Sequence, residues 1–166
     1  MRCQTPFLDS RSIMRSSREM PGGEVIVFDL HPHATKIGFT GTRRGMTAEQ
    51  KTALRNLLQA AGGEFHHGDC VGADAEAHDI AQACGLEPVI HPPTDPKQRA
   101  WKAASRILLP LPYLHRNKEI VRETESIIAT PSEFDEQHRS GTWSTVRYAR
   151  KLGRQVLVIL PDGRLQ

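Results

Sequence analysis

Short apolar runs alternate with helix patterns from Lys36 onward, and this alternation constrains the fold more than any other feature. The runs at 126–130 and 155–160 are continuous and largely apolar, as strands buried on both faces of a parallel sheet are. Between them, apolar residues recur at helical spacing up to Leu152, and Gly153 is a natural helix end. This segment therefore predicts a strand, a loop, a helix and a second strand.

The same alternation is found upstream. Strand patterns at 37–40, 65–67 and 87–91 are separated by two helix patterns, and a further helix is predicted over 114–124. The first helix opens with a capping box at 47–50. This order predicts an α/β three-layer sandwich around a mainly parallel sheet. Right-handed crossovers from a central first strand give the strand order 3-2-1-4-5.

Two stretches depart from the alternation. Residues 1–23 are rich in Arg, Ser, Met and Pro without a period, which predicts a loose arm or an upstream extension, and 24–30 predict an edge strand. We therefore divide the chain into an extension over 1–35 and a domain over 36–166. The Pro-containing stretch 94–112 predicts one short helix around Trp101 and is a candidate lid.

Composition excludes several functional classes. The formal net charge of +3 does not demand a nucleic-acid partner. Cys3, Cys70 and Cys84 form no C-x-x-C pair, so neither a disulfide framework nor a zinc knuckle is predicted, and a reducing cytoplasm is expected. No apolar run approaches membrane-spanning length. The residues predict no cofactor and no metal site.

Two loops follow the strands between which the predicted strand order reverses, where ligands of such sheets bind. In the first loop Gly41 permits a close backbone approach, Thr42 offers a hydroxyl, and Arg43 can hold a phosphate through two hydrogen bonds. The second loop becomes a helix at Gly141, where unpaired N–H groups attract anions. The alternative is that Ser140 merely caps this helix. Because the two loops lie side by side, they predict a shared anion site.

A third motif occupies 67–74. Gly68 and Gly72 let the backbone approach a ligand closely, and a helix opens at Ala73. Asp69 or Asp74 could accept hydrogen bonds from ribose hydroxyls. Asp74 could equally compensate the dipole of the helix.

Histidine, cysteine and tryptophan side chains near these motifs give weaker signals. His66 and His67 are adjacent on a strand and point to opposite faces, so they cannot chelate one ion together. The neighbouring Asp69 is expected to raise the pKa of the Cys70 thiol, which argues against a nucleophile. His91 ends the third strand as a cap, and Trp143 is expected to pack in the core.

Four motifs in order, at 38–43, 67–74, 116–121 and 140–150, resemble the SLOG superfamily. That Rossmann-like group contains YpsA-like proteins, the DprA DNA-processing proteins and the LOG (lonely guy) phosphoribohydrolases. The chain is most similar to the small YpsA-like and DUF2493-like members, over 36–163. The resemblance implies a Rossmann-like fold with a nucleotide or nucleotide-derived ligand, such as a nucleoside monophosphate or an ADP-ribose-like molecule.

The resemblance also implies roles for individual residues. Gly141 and Thr142 match the phosphate-binding residues of the LOG motif, and Arg116 matches a basic residue important for catalysis. The catalytic glutamate of that motif falls on Thr145 here. A hydrolase with an oxocarbenium-like transition state needs a carboxylate at this position, so the departure argues against LOG-type catalysis.

The candidate residues form two groups. The catalytic candidates are Arg116, Asp69 and Asp74. The candidates for ligand and phosphate binding are Gly41, Thr42, Arg43, Gly68, Gly72, Ala73, Asn117, Pro131, Ser140, Gly141 and Thr142.

Three functions stay open at this stage. The first is a binding or sensing module for a nucleotide-derived small molecule. The alternatives are an N-glycosidic hydrolase or transferase acting on nucleoside phosphates, and a single-stranded DNA binder. Only 5% of the residues are aromatic, so we expect at most weak, salt-sensitive DNA binding. Neither a nucleic-acid nor a membrane partner is expected, and a homodimer is one option that the resemblance allows.

Overall fold

The computed structural model of the protein describes residues 35–166. The predicted extension over 1–35, with its edge strand at 24–30, lies outside the described residues except for Thr35. None of the helices in the described part is long and apolar enough to cross a membrane.

Strands and helices alternate through residues 35–166. The strands are β1 Thr35–Gly41, β2 Gly63–His67, β3 Glu87–Ile90, β4 Arg106–Ile107, β5 Ser126–Thr130 and β6 Gln155–Val158. The helices are α1 Ala48–Leu58, α2 Ala73–Ala83, α3 Tyr113–Glu123 and α4 Gly141–Lys151, with a short 3₁₀ helix at Pro96–Gln98.

All strand pairs in the sheet are parallel, and their order is β4-β3-β2-β1-β5-β6. The predicted order 3-2-1-4-5 is confirmed, because the fourth and fifth predicted strands are β5 and β6. The structure adds β4 at the edge beside β3. Helices α1 and α2 pack together, as do α3 and α4, which gives the predicted three layers.

The segment before α3 differs from its prediction. The short helix expected around Trp101 lies instead at Pro96–Gln98, where the Asp95 side chain accepts from the Lys97 amide and Pro96 fits the first turn. Trp101 has a φ of 57° and an exposed fraction of 64%, so it lies outside any helix. The sequence signal for the short helix is Asp95 followed by Pro96, five positions before Trp101.

The centre of the sheet is closely packed against α3. Ile37, Phe39, Ile127 and Ile128 are fully buried, as expected for strands covered on both faces. A side chain at Gly38 would place its Cβ 2.4 Å from Ile127 Cδ1. The absence of a side chain therefore allows the helical layer to lie directly on β1.

Gln50 connects α1 to the chain segments that follow β5 and β6. Thr47 and Gln50 form the predicted capping box, which is confirmed. The buried Gln50 Nε2 also donates to the Pro131 carbonyl at 2.8 Å and the Ile159 carbonyl at 2.9 Å. These two carbonyls follow β5 and β6, so one amide group fixes the ends of both strands.

We expect Gln50→Ala to lower the free energy of unfolding by about 2–4 kcal/mol, because it leaves two carbonyl groups without a donor and removes the capping box. Urea denaturation followed by circular dichroism measures this. Gln59→Ala, at an exposed position at the end of the same helix, is the matched control and should change stability by less than about 0.5 kcal/mol. Equal losses in both variants would contradict the role of Gln50.

Candidate functional site

A cleft of about 580 Å³ opens at the carboxyl ends of β1 and β5, where the strand order reverses. The structure brings six of the predicted ligand residues together around it: Gly41, Thr42, Arg43, Ser140, Gly141 and Thr142. Six more lining residues were not predicted: Arg44, Tyr113, Ser132, Glu133, Gln137 and Arg139. The two loops that the sequence placed side by side therefore form opposite parts of one cleft.

The loop after β1 is held by backbone hydrogen bonds on two sides. The Thr42 amide donates to the Thr130 carbonyl at 3.1 Å, and the Thr42 carbonyl accepts from the Ala73 amide at 3.0 Å. Gly41 has no room for a side chain, since a Cβ there would lie 2.5 Å from the Ala73 Cβ. The backbone here is thus fixed by the protein itself, and Arg43 projects from a rigid loop.

The start of helix α4 also lines the cleft. Ser140 is its N-cap, and its hydroxyl accepts from the Trp143 amide at 3.4 Å. The amides of Gly141 and Thr142 belong to the first turn, whose N–H groups have no acceptor inside the helix. The positive end of the helix dipole lies here as well. The wall therefore offers N–H donors and partial positive charge to an anion.

Tyr113 is the main lining residue that the sequence did not single out. It is the first residue of α3, and a Cβ built on Gly141 would lie 1.9 Å from its hydroxyl oxygen. The Arg43 and Arg116 guanidinium carbons lie 5.2 and 5.3 Å from the centre of its ring, within range of cation–π attraction. The contact with Gly141 explains why that position lacks a side chain.

Arg116 lies behind Tyr113 and is buried. Its Nη2 donates to Cys70 Sγ at 3.0 Å, and its Nη1 lies 3.7 Å from Asp74 Oδ2. Its Nε has no hydrogen-bond partner among the described residues. A Cβ at Gly68 would lie 1.2 Å from Nη1, so Gly68 makes room for the guanidinium.

Asp74 and Asp69, the predicted catalytic carboxylates, are both buried and do not line the cleft. Asp74 Oδ2 accepts from the amides of Gly68 and Cys70 at 3.0 and 3.2 Å. Asp69 accepts from Arg99 Nε at 2.7 Å and from the Lys102 amide at 3.0 Å. Each carboxylate therefore stabilises a loop through these hydrogen bonds.

The electrostatics of Asp74 combine two opposing effects. Burial raises the pKa of its carboxyl group, whereas the neighbouring Arg116 charge lowers it. Burial is the larger effect, so the pKa stays raised, and Arg116 together with the Gly68 and Cys70 amides offsets part of the rise.

The remaining predicted ligand residues lie outside the cleft lining. The Gly72 φ of 89° suits glycine, and the Ala73 amide is occupied by the Thr42 carbonyl. Asn117 Nδ2 donates to Thr145 Oγ1 at 3.0 Å, and Pro131 accepts from Gln50. These residues therefore support the walls of the cleft through contacts within the chain.

The histidines form two pairs on opposite faces of β2, as predicted for His66 and His67. His67 Nε2 lies 2.9 Å from His78 Nδ1. His66 Nδ1 lies 2.9 Å from His91 Nε2. The prediction that His91 caps its strand missed this partner, which is 25 positions away along the chain. Trp143 is buried in the core, as predicted.

No protein-family model and no curated protein matches this chain. Solved structures match its fold. The molybdenum cofactor binding protein of Rippkaea orientalis matches at a TM-score of 0.63 and 20% identity, over 80% of both chains. The molybdenum cofactor carrier protein of Chlamydomonas reinhardtii matches at a TM-score of 0.56 and 20% identity, over 79% of this chain and 78% of that one.

DNA processing protein A (DprA) of Streptococcus pneumoniae also matches, at a TM-score of 0.56 and 20% identity. The match covers 75% of this chain and 50% of that one, so the chain spans about half of that protein. This chain shares with these proteins a Rossmann-like fold with a parallel sheet. The resemblance found in the sequence is confirmed at the level of the fold.

Cys70 should react slowly with thiol reagents. Burial and the Asp74 charge raise the pKa of its thiol, so the reactive thiolate is scarce at pH 8. The predicted direction is confirmed, although burial is the larger cause and the charge comes from Asp74. We expect iodoacetamide to label Cys70 at least about tenfold more slowly than the half-buried Cys84.

Peptide mapping by mass spectrometry measures both labelling rates in one sample. In denaturant the two cysteines should be labelled at similar rates. Faster labelling of Cys70 than of Cys84 in the folded protein would contradict the structural assignment.

Proposed function

We propose that this domain binds a phosphorylated, nucleotide-derived small molecule in the cleft, as a binding or sensing module. The observation that carries the proposal is that Arg43 and the first turn of α4 line the same cleft. A phosphate between them would accept hydrogen bonds from the Gly141 and Thr142 amides and from the guanidinium group. Helix starts and arginines are the two commonest protein contacts of phosphate.

The charges around the cleft favour the same class of ligand. Its lining carries three arginines, Arg43, Arg44 and Arg139, and one carboxylate, Glu133. Arg43 and Arg44 are exposed, so their side chains can turn toward an anion without a large desolvation penalty. An excess of positive charge in a concave site raises the local concentration of anionic ligands.

Tyr113 supports a ligand that has a planar part as well as a phosphate. Its ring lines the cleft beside the start of α4. Aromatic rings offer a flat apolar surface for a base. Because the Tyr113 hydroxyl lies against Gly141 at the start of α4, a ligand that used both the ring and the helix start would be compact, as a nucleoside monophosphate is.

The molybdenum cofactor is a second candidate ligand. Two proteins with this fold, from Rippkaea orientalis and Chlamydomonas reinhardtii, bind or carry that cofactor. A binding panel should therefore include it beside nucleoside monophosphates and ADP-ribose.

We expect Arg43→Ala to abolish the thermal stabilisation that the best ligand of this panel gives the parent protein. The variant loses one guanidinium group at the phosphate, which corresponds to about 1.5–3 kcal/mol of binding, or roughly ten- to a hundredfold in Kd. Differential scanning fluorimetry and isothermal titration calorimetry measure the two quantities.

Arg55→Ala is the matched control, since Arg55 is an exposed arginine of α1 outside the cleft. It should bind like the parent. Unchanged stabilisation of Arg43→Ala by every ligand that protects the parent would contradict the proposed site.

The hydrolase alternative requires a carboxylate at position 145, where this chain has a threonine. Thr145 is buried, and its hydroxyl accepts from Asn117 Nδ2 and donates to the Gly141 carbonyl, both at 3.0 Å. It therefore binds the walls of the cleft together and carries no charge that could stabilise an oxocarbenium ion. Binding of single-stranded DNA also stays an alternative, with weak affinity expected.

We expect little or no release of free base from nucleoside monophosphates. Loss of one electrostatic contact at the reacting centre typically slows a reaction about a hundredfold or more. Chromatography of the reaction mixture, compared with an enzyme-free sample, measures the release. Slow release that Asp69→Asn or Asp74→Asn removes would assign the carboxylate, whereas rapid release that persists in both variants would contradict the binding-module proposal.

A further inference from the structure

A second group of chemically active side chains lies away from the cleft, on the β2–β3 half of the sheet. His66 of β2, His91 just after β3 and Glu123 at the end of α3 each present one ligand atom, and these atoms lie within 4.8 Å of one another. His66 and His91 are buried, with exposed fractions of 0% and 2%. Two imidazoles and a carboxylate are the donors that Zn²⁺ prefers.

We propose that His66 Nδ1, His91 Nε2 and the Glu123 carboxylate bind one divalent transition-metal ion of the Zn²⁺ class. His66 Nδ1 lies 2.9 Å from His91 Nε2 and 3.9 Å from Glu123 Oε2. Ligands at about 2.0–2.1 Å from a tetrahedral ion are roughly 3.3 Å apart. The three donors therefore need only small side-chain shifts to surround an ion.

A neighbouring carboxylate orients the first ligand. Glu64 Oε2 lies 2.9 Å from His66 Nε2, the ring nitrogen that faces away from the other two donors. The Nε2–H group therefore donates to Glu64, which leaves the lone pair of Nδ1 directed at His91 and Glu123. Such a carboxylate–histidine contact is the usual outer support of a zinc ligand, because it fixes the tautomer and the ring orientation.

The protonation states fit metal binding. A metal ion binds the neutral form of imidazole, which is the form that burial favours for both rings. Without an ion, His91 Nε2–H donates to His66 Nδ1. With an ion bound, His91 carries its proton on Nδ1, which moves the proton within the ring and leaves the charge unchanged.

The positive charge of Arg106 lies beside two carboxylates of this group and disfavours a cation there. Its guanidinium lies 3.2 Å from Glu64 Oε1 and 3.7 Å from Glu123 Oε2. Its side chain is 45% exposed, so it can turn into solvent when an ion replaces it beside Glu123. With Arg106 turned away, the Glu64 and Glu123 carboxylates supply two negative charges beside a divalent ion.

The sequence predicted no metal site, because these ligands share no short spacing. His66 and His91 are 25 positions apart, and Glu123 follows much later. Parallel pairing of β2 with β3 and the position of the end of α3 bring the three together.

The test is Zn²⁺ binding to the full chain, measured by competition with a chromogenic chelator, with Co²⁺ absorption as a report on coordination. The parent should bind one ion per chain at this site. Glu123→Gln should weaken binding about tenfold and His91→Asn about a hundredfold. Glu123 is half-buried at a helix end, so its variant tests the site even where a histidine variant fails to fold.

Two matched controls keep the result specific. Glu119→Gln changes a carboxylate one turn earlier on α3, and His78→Gln changes a buried histidine on the opposite face of the sheet. Both should bind Zn²⁺ within about threefold of the parent, since neither contacts the three donors. Absence of saturable binding of one ion, or equal loss in the controls and in Glu123→Gln, would overturn the proposal.

Discussion

A buried ion pair between Asp74 and Arg116 lies beside the cleft and holds the loop after β2, and Arg116 also contacts the ring of Tyr113. Asp74 comes from α2 on one face, Arg116 comes from α3 on the other, and their charged groups approach to 3.7 Å. Breaking a buried pair by removing one partner leaves an uncompensated charge and is strongly destabilising. The pair therefore ties the two helical layers together at the end of the sheet where the strands stop.

The loop after β2 depends on this pair. Asp74 accepts hydrogen bonds from the Gly68 and Cys70 amides, and a Cβ at Gly72 would lie 2.3 Å from the Arg43 carbonyl oxygen. Backbone thus packs on backbone between the loops after β1 and β2. Because these contacts already hold the two loops, the loops lose little conformational entropy when a ligand binds. Only the exposed arginine side chains must then be ordered.

The sequence predicted the parts of this molecule that local patterns determine. Strand order follows from the alternation and the handedness of crossovers, and two loops that follow β1 and β5 were recognised by composition alone. Roles that depend on a distant partner could not be predicted. Tyr113 lines the cleft because its hydroxyl fits over Gly141, and Asp69 holds Arg99 and the Lys102 amide through contacts 30 and 33 positions apart.

The two-residue strand β4 could not be predicted from the sequence either. It carries no periodic pattern, because two residues are too few to show alternation, and it exists only by pairing with β3. That pairing brings Arg106 to Glu64 and Glu123. An element without a sequence signature thereby sets the charge balance around the histidine pair.

Helix α3 joins the two proposed sites, and the direction of its backbone dipole matches the charge of the ligand proposed at each end. Its first turn carries Tyr113 at the cleft and Arg116 behind it, and its last residue is Glu123 beside His66 and His91. A helix of eleven residues is about 16 Å long, so the two sites are separate. The positive end of its dipole lies at the cleft, where Tyr113 is a lining residue, and the negative end lies at Glu123. The same backbone orientation therefore favours both ligands, at opposite ends of one element.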